Sequence, residues 1–141
     1  MSVKRLAHVC IVTGDLEAAE RFYCGLLGLR RAFSFIRNGR RVGFYLEVGG
    51  GGFIEVFARD QVDAKARGAI QHICLEVDGI DRIVARLKEA ACDVTEKKLG
   101  ADRSWQAWVT APDGVRIEFH EYTAESCQMT GADCVLDDRR A

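Results

Sequence analysis

The chain of 141 residues is long enough for one domain with a substantial apolar core, so it needs no disulfide framework for stability. Its 20 Lys and Arg residues are balanced by 21 interspersed Asp and Glu residues, which argues against nucleic acid as a partner. No apolar run approaches the roughly 18 residues of a membrane span, and none follows the N-terminus as in a signal peptide. We therefore expect a cytoplasmic protein.

The six cysteines are scattered along the chain, and no two of them form a CxxC pair. Redox and zinc-knuckle motifs are therefore not indicated, and we expect most cysteines to be small buried apolar side chains in a reducing compartment. Cys127 and Cys134 lie in the polar C-terminal segment, where both thiols could be exposed. A disulfide between these two is the minor alternative.

The first predicted elements are a strand and a helix. Alternating apolar residues indicate a strand over 6–13, and Asp15 offers its carboxylate as the N-cap of a helix. That helix is indicated by apolar residues at helical spacing, namely Leu16, Ala19, Tyr23, Leu26 and Leu27. Gly28 stands where a C-cap would end the helix.

From Arg31 onward the apolar period changes to two, which indicates strands. Asn38-Gly39 lies between two such runs and predicts a β-hairpin, because this pair readily adopts the positive φ angles of a type I′ turn. The run from Gly49 to Gly52 lacks the Lys and Ser/Thr of a P-loop. It is predicted to be a flexible turn with a third strand after it.

The second half repeats this order of elements. A strand is predicted over 71–77, followed by a helix that Asp81 would cap and then by three short strands, with a last turn at Pro112-Asp113-Gly114. The helix is indicated by Ile80, Ile83, Val84, Leu87 and Ala91.

The repeated order predicts an α+β fold of two βαβββ modules, residues 4–59 and 70–123, whose curved mixed sheets would enclose a cleft. Both modules are assigned to a single domain, residues 1–123. A polar linker at 60–69 joins the modules, and the C-terminal tail 124–141 shows no convincing period.

The two halves also repeat a set of polar residues. His8-Val-Cys-Ile-Val opens the first half, His72-Ile-Cys-Leu-Glu-Val opens the second, and each half ends on Ile-Glu, at Glu55 and Glu118. The two histidines are 64 residues apart and the two glutamates 63. Because a duplicated unit folds twice in the same way, pseudo-symmetry brings matching residues toward a shared point.

Strand parity places these residues on one face of each sheet. Side chains two residues apart in a strand share a face of the sheet. Each His and Glu therefore points to one face, and the apolar residues next to it in sequence point to the other, as with His8 against Val9 and Ile11. The helices must cover the apolar face to remove it from water, which leaves the other face as the candidate site. Its predicted apolar lining is Phe53, Phe57 and Trp108.

Two imidazoles and two carboxylates form a donor set that suits a borderline divalent ion such as nickel, cobalt, zinc, iron or manganese. Four protein ligands on a six-coordinate ion leave two positions for water or a chelating substrate, which permits Lewis-acid chemistry at a substrate oxygen. We therefore predict one divalent metal ion per site, held by His8, Glu55, His72 and Glu118.

Three further residues share the predicted face. His120 corresponds to Phe57 of the first half and so has no counterpart, and it is assigned a supporting or structural role. Cys10 and Cys74 do repeat, and their sulfur atoms could bind a metal, but we predict small apolar packing beneath the site.

Over about residues 6–122 the chain resembles a known family, the vicinal oxygen chelate superfamily. The motifs that carry the resemblance are His8, Asp15-Leu-Glu-Ala-Ala-Glu-Arg-Phe-Tyr23, Leu26-Leu-Gly-Leu29, Phe53-Ile-Glu-Val56, Gln71-His-Ile-Cys74 and Pro112-Asp-Gly-Val-Arg-Ile-Glu-Phe119. The resemblance implies paired modules, commonly assembled as a homodimer, and a divalent metal held by both modules. The four candidate ligands match the family's ligand positions.

Within the superfamily, a short chain with a His, Glu, His, Glu ligand set most resembles bacterial glyoxalase I, the nickel or cobalt type of lactoylglutathione lyase. Extradiol dioxygenases and fosfomycin-modifying enzymes typically use three ligands, so Glu55 argues against both. The resemblance implies a substrate formed from a 2-oxoaldehyde, such as methylglyoxal, and a thiol. Glu118 or Glu55 would move a proton from one carbon of this hemithioacetal to the next, without a redox cofactor.

One departure from the family pattern bears on the substrate. Glutathione-using members resemble one another in an Arg four residues after the first His and an Asn shortly after the first Glu, where this chain has Val12 and Phe57-Ala-Arg59. Without that Arg, glutathione loses a charge-assisted anchor. Arg37, Arg59 or Arg103 would have to replace it, or the thiol differs.

Two alternatives stay open at this point. The first is a metal-dependent epimerase resembling methylmalonyl-CoA epimerase, which returns the proton to the same carbon; Glu55 argues against it, because that branch often carries Gln there. The second is a non-catalytic protein like the bleomycin-resistance members, which sequester a ligand without metal. The presence of four candidate ligands argues against the second.

Overall fold

The computed structural model of the chain describes residues 4–60, 62 and 70–135. The chain divides into two compact units, Met1–Gly68 with Ala111–Val115 and Ala69–Thr110 with Arg116–Ala141. Among the described residues, no helix combines the length and apolar character that spanning a bilayer requires. The predicted linker at 60–69 lies almost entirely outside the described residues.

The first unit is a four-stranded mixed sheet with one helical segment. Its sheet has the order β1-β4-β3-β2, with β1 parallel to β4 and the other neighbours antiparallel. In chain order the elements are β1 (His8–Thr13), α1 (Leu16–Glu20), a π-helical segment (Arg21–Leu26), β2 (Arg30–Arg37), β3 (Arg40–Glu47) and β4 (Phe53–Ala58).

The local signals of the first half are confirmed. The Asp15 carboxylate accepts a hydrogen bond of 2.9 Å from the backbone N–H of Ala18, as an N-cap does. Gly28 ends the helical segment with a φ of 74°, which a residue with a Cβ adopts only at a cost. Asn38 and Gly39 have φ angles of 50° and 73°, the left-handed conformation that a tight hairpin turn requires.

The second unit repeats the topology of the first. Its sheet has the order β5-β8-β7-β6, with β5 parallel to β8. The elements are β5 (Ile73–Glu76), α2 (Ile80–Glu89), β6 (Lys98–Leu99), β7 (Trp105–Thr110), β8 (Arg116–Glu121) and a short helix, α3 (Cys127–Thr130). Two four-stranded mixed sheets with few helices make the α+β fold that the repeated pattern predicts.

The prediction that Asp81 caps α2 is wrong. The helix begins at Ile80, so Asp81 lies inside its first turn, where its side chain forms an ion pair with Lys97. The cap comes from β8 instead, because the Glu121 carboxylate accepts hydrogen bonds from the backbone N–H groups of Gly79 (2.7 Å) and Ile80 (3.2 Å). A carboxylate at this end is also favoured by the helix dipole.

The apolar core lies on the sheet face that strand parity predicts. In β1 and β4, Ile11, Ile54 and Val56 are buried, whereas Cys10 is exposed and Glu55 half-buried. In the second unit the buried apolar side chains come from α2, β7 and β8, namely Ile80, Val84, Leu87, Ala107, Val109, Ile117 and Phe119. Burying these apolar side chains supplies the main driving force for each unit.

The prediction that most cysteines are buried is wrong. Cys10, Cys74 and Cys134 are exposed, the other three are half-buried, and all six thiols are free. Cys10 and Cys74 lie on the sheet face opposite to the buried apolar residues, so the same alternation that buries Ile11 leaves Cys10 exposed.

The tail has more structure than its sequence predicts. Ser126 is fully buried, and α3 follows it. Cys127 N–H donates a 2.9 Å hydrogen bond to the Asp102 carbonyl, and the Gln128 side-chain amide donates one of 2.7 Å to the Asp102 carboxylate. The start of the tail is therefore part of the second unit.

Candidate metal centre

The first unit brings its candidate His and Glu to one face of the sheet. His8 Nε2 lies 4.0 Å from Glu55 Oε2, and the His8 side chain is the more exposed of the two, 43% against 20%. Cys10 is the direct neighbour of Glu55 in the parallel ladder of β1 and β4. Partial desolvation, and then the Glu55 carboxylate, raise the pKa of the Cys10 thiol.

The second unit brings the matching pair closer together. His72 Nε2 lies 3.2 Å from Glu118 Oε2, and only 9% of the Glu118 side chain is exposed. Trp108 is the neighbour of Glu118 in the ladder of β7 and β8, and its ring meets His72 edge-on with 4.8 Å between centroids. The indole therefore covers one side of this pair with apolar surface.

His120 also reaches the Glu118 carboxylate, and one of its ring nitrogens lacks a hydrogen bond. Its Nε2 lies 3.0 Å from Glu118 Oε1 but makes no hydrogen bond to any described residue. The residue is 8% exposed, so water has little access to it. A buried polar atom without a partner is costly, and such atoms are rare in native proteins.

Cys74 completes a group of three donors in the second unit. One ligand atom each from Cys74, Glu118 and His120 lies within 4.8 Å of the others. Partial desolvation, and then the Glu118 carboxylate, raise the pKa of the Cys74 thiol to about 12. Thiolate, carboxylate and imidazole together suit a borderline divalent ion, and the unpartnered Nε2 is an atom that such an ion would satisfy.

Asp102 lies behind His120, on the side away from Glu118. Its Oδ2 is 3.9 Å from His120 Nδ1. Although burial opposes ionisation, hydrogen bonds from Gln128 and Ser104 lower the pKa of the Asp102 carboxyl. The sequence offers no signal for this contact, because Asp102 lies in a turn whose position depends on the tail.

The four predicted ligands thus form one His–Glu pair in each unit. In each pair, the His lies at the start of the first strand of its half or just before it, and the Glu lies in the last strand. The first and last strands of each half are parallel neighbours in the sheet. That all four surround a single ion stays a prediction. Strand parity predicts that Cys74 and His120 lie on this face, but it does not predict that they adjoin Glu118.

A group of aromatic side chains lies beside the His8–Glu55 pair of the first unit, and the Tyr45 ring meets the His8 ring at 5.7 Å between centroids. Tyr45 stacks on Phe33 and on Phe53, with centroid separations of 4.8 and 5.0 Å, and Phe35 stacks on Phe57 at 4.5 Å. We call these five residues the aromatic face. The predicted lining by Phe53 and Phe57 belongs to it, and it offers flat apolar surface next to the candidate ligands.

A family model of the Glyoxalase/Bleomycin resistance protein/Dioxygenase superfamily matches residues 5–119. The chain belongs to this superfamily, as its motifs predict. A search of curated proteins gives no significant match.

Several solved structures share the fold of this chain at low sequence identity. A glyoxalase family protein from Enterococcus faecalis superposes with a TM-score of 0.71 at 23% identity, covering 84% of this chain and 98% of that one. A lactoylglutathione lyase from Agrobacterium tumefaciens gives 0.64 at 20% identity, covering 86% and 96%. TnmS3, an antibiotic binding protein from Streptomyces sp. CB03234, gives 0.68 at 21% identity, covering 87% and 99%.

Proposed function

We propose that the protein is a divalent-metal-dependent lyase of the glyoxalase I type. It would convert the hemithioacetal of a 2-oxoaldehyde, such as methylglyoxal, and a thiol into a 2-hydroxyacyl thioester. The observation that carries the proposal is the repeated pairing of a histidine with a glutamate, at 4.0 Å in the first unit and 3.2 Å in the second. The superfamily membership of the chain is consistent with this chemistry.

In this proposal His8, Glu55, His72 and Glu118 hold one divalent ion per site, with nickel or cobalt favoured and zinc, iron or manganese as alternatives. When bound, the ion supplies Lewis acidity at the substrate oxygens. The active form would be a homodimer with its sites at or near the interface.

Glu118 is the better candidate for proton transfer. The reaction breaks the C–H bond at the carbon that carries sulfur, forms a C–H bond at the neighbouring carbon, and moves the hydroxyl proton to the neighbouring oxygen. Only 9% of the Glu118 side chain is exposed, against 20% for Glu55. The Glu118 carboxylate is thus the one better excluded from water, with Trp108 and His72 beside it, so we assign it the transfer and Glu55 a ligand role.

The thiol is best sought among compounds other than glutathione. Val12 stands where glutathione-using members carry Arg, and it is exposed on β1. Arg37 and Arg59 are exposed cationic side chains in the first unit, and Arg103 is one in the second. A thiol with one anionic group would find a partner among these three, but none occupies the family's position on β1.

The test is a Glu118→Gln variant, assayed on methylglyoxal with a panel of thiols and, separately, on methylmalonyl-CoA. We expect turnover with one of the thiols in the metal-loaded wild type and a loss of at least about a hundredfold in the variant, the usual size of a general-base effect. Glu96→Gln is the matched control, since the Glu96 side chain is 81% exposed and pairs with Lys88. Undiminished turnover in Glu118→Gln would refute the assigned role.

A second candidate function is a non-catalytic binding protein for a planar aromatic compound. The aromatic face favours it, because stacked rings present flat surface on which another ring can stack. TnmS3, an antibiotic binding protein, shares the fold. Calorimetric titration of the metal-free protein with planar aromatic antibiotics separates the two functions: tight binding without turnover of any hemithioacetal supports the second candidate.

A further inference from the structure

The second unit contains two donors that the proposed ligand set does not use, and both adjoin Glu118. Cys74 is the direct neighbour of Glu118 in the parallel ladder of β5 and β8, and His120 is two residues further along β8. Strand parity sends all three side chains to the same face. Their ligand atoms lie within 4.8 Å of one another.

We propose that Cys74 and His120 are metal ligands, so that the second unit binds a thiolate-preferring divalent ion through Cys74, Glu118 and His120. Ligands of one tetrahedral ion are separated by roughly 3.3–3.8 Å, given metal–nitrogen and metal–sulfur bonds of about 2.0–2.3 Å. The three donor atoms lie within 4.8 Å of one another, so each pair needs to approach by no more than about 1.5 Å to reach that spacing.

The orientation of His120 is the strongest support. Its Nδ1 faces the Asp102 carboxylate, and its Nε2 faces Glu118 without a hydrogen bond to any described residue. Metal-binding histidines commonly have this environment, with a carboxylate behind one nitrogen and the ion on the other. Asp102 is itself held by Gln128 and by the Ser104 N–H at 3.2 Å.

The first unit lacks this arrangement, although its backbone is the same. Cys10 adjoins Glu55 as Cys74 adjoins Glu118. At the position of His120, however, the first unit has Phe57, whose ring stacks on Phe35. At this one position the two halves therefore differ: the second unit has an imidazole nitrogen that can bind a metal, whereas the first unit has an apolar ring.

The donor set determines the class of ion. Sulfur and imidazole ligands favour zinc and cobalt over magnesium and manganese, which prefer oxygen. The inference shares only Glu118 with the proposed catalytic site. Glu118 Oε2 lies 3.2 Å from His72 Nε2 and Glu118 Oε1 lies 3.0 Å from His120 Nε2, so the two ligand sets use different oxygens of one carboxylate. The inference does not depend on lyase activity. The two proposals can therefore fail separately.

The test is a Co²⁺ titration of the full-length protein after its metal has been removed with a chelator. Direct sulfur ligation produces a thiolate-to-cobalt charge-transfer band in the near ultraviolet. We expect this band in the wild type, its loss in Cys74→Ser, and its retention in the matched Cys10→Ser variant. A cobalt complex of the wild type without the band, or an unchanged band in Cys74→Ser, overturns the inference.

His120 is tested by affinity rather than by the band. We expect His120→Gln and His120→Phe, which copies the first unit, to weaken Co²⁺ binding by at least about tenfold. Circular dichroism of the metal-free variants establishes whether they are folded. If His120→Phe does not fold, the near-isosteric His120→Gln variant alone provides the test. Unchanged affinity in a folded variant overturns the role of His120.

A His8→Ala variant separates this inference from the proposed function. We expect it to retain the charge-transfer band, because His8 is absent from the second unit. Loss of turnover in His8→Ala with the band retained supports both proposals. Retention of turnover in His8→Ala contradicts only the shared ligand set, and absence of the band in the wild type contradicts only the second-unit site.

Discussion

The Tyr23 hydroxyl donates a hydrogen bond of 3.2 Å to Asp113 Oδ2, and both side chains are buried. Asp113 lies in the turn that follows β7 and belongs to the first unit. Its other oxygen accepts a hydrogen bond of 3.1 Å from the Val115 N–H, so the turn and the helical segment share one carboxylate. Burial, and then the charge on Asp113, raise the pKa of Tyr23, and burial raises that of Asp113.

Tyr23→Phe should destabilise the protein by about 1–3 kcal/mol at neutral pH, because it leaves a buried carboxylate with one donor fewer. The measurement is urea-induced unfolding followed by circular dichroism. Tyr45→Phe is the control, since the ring stacking of Tyr45 survives the change. Equal stability of Tyr23→Phe and wild type would show that the hydrogen bond contributes nothing.

Asp113→Asn should change the pH dependence of stability. A raised pKa means that the folded state holds the proton more tightly than the unfolded state. The ordinary pKa of an Asp carboxyl is 3.8. The stabilising contribution of Asp113 is therefore complete below that pH and is lost as the pH rises through the raised pKa of the folded state. The variant has no such loss, so its stability relative to wild type should increase with pH in urea-unfolding series. A relative stability that decreases with pH would contradict the raised pKa.

Glu121→Gln should destabilise the second unit by about 1 kcal/mol, because a neutral amide gives weaker capping bonds to α2 and no favourable interaction with the helix dipole. Asp81→Asn is the matched comparison, since the sequence predicts Asp81 as the cap. Asp81 is exposed and paired with Lys97, so we expect a change within about 0.5 kcal/mol. Thermal unfolding of both variants measures the difference, and the reverse order would restore Asp81 as the cap.

Gly43→Ala should cost about 1–3 kcal/mol, the usual effect of overpacking. A Cβ at this position would lie 2.8 Å from Phe57 Cδ1 and sterically overlap the Val56 carbonyl. Because the carbonyl belongs to the neighbouring strand, β3 and β4 would have to separate. Gly25→Ala is the control, since a Cβ there meets no atom within 4 Å beyond its chain neighbours and the backbone of its own helical segment. Chemical unfolding compares the two, and an equally tolerated Gly43→Ala would show that the strands adapt freely.

The sequence alone predicted those features that depend on neighbouring residues. Asp15 caps α1, Asn38-Gly39 forms the hairpin turn, and alternation along β1 and β4 separates the buried face from the exposed one. Each of these signals lies within a few residues of the chain, where the backbone geometry of a helix, strand or turn is decided. The repeat and the motifs added the fold and the superfamily, because two similar segments fold alike.

Only the tertiary structure decided which distant groups meet. Glu121 rather than Asp81 caps α2, Tyr23 reaches Asp113, and Asp102 lies behind His120. These contacts join residues far apart in sequence, and they depend on the register of whole sheets and on how the tail packs. Period and propensity carry no information about such distances, because they describe each segment by itself. The sequence therefore predicted the faces of the strands, whereas the packed sheets determined the neighbours of Glu118.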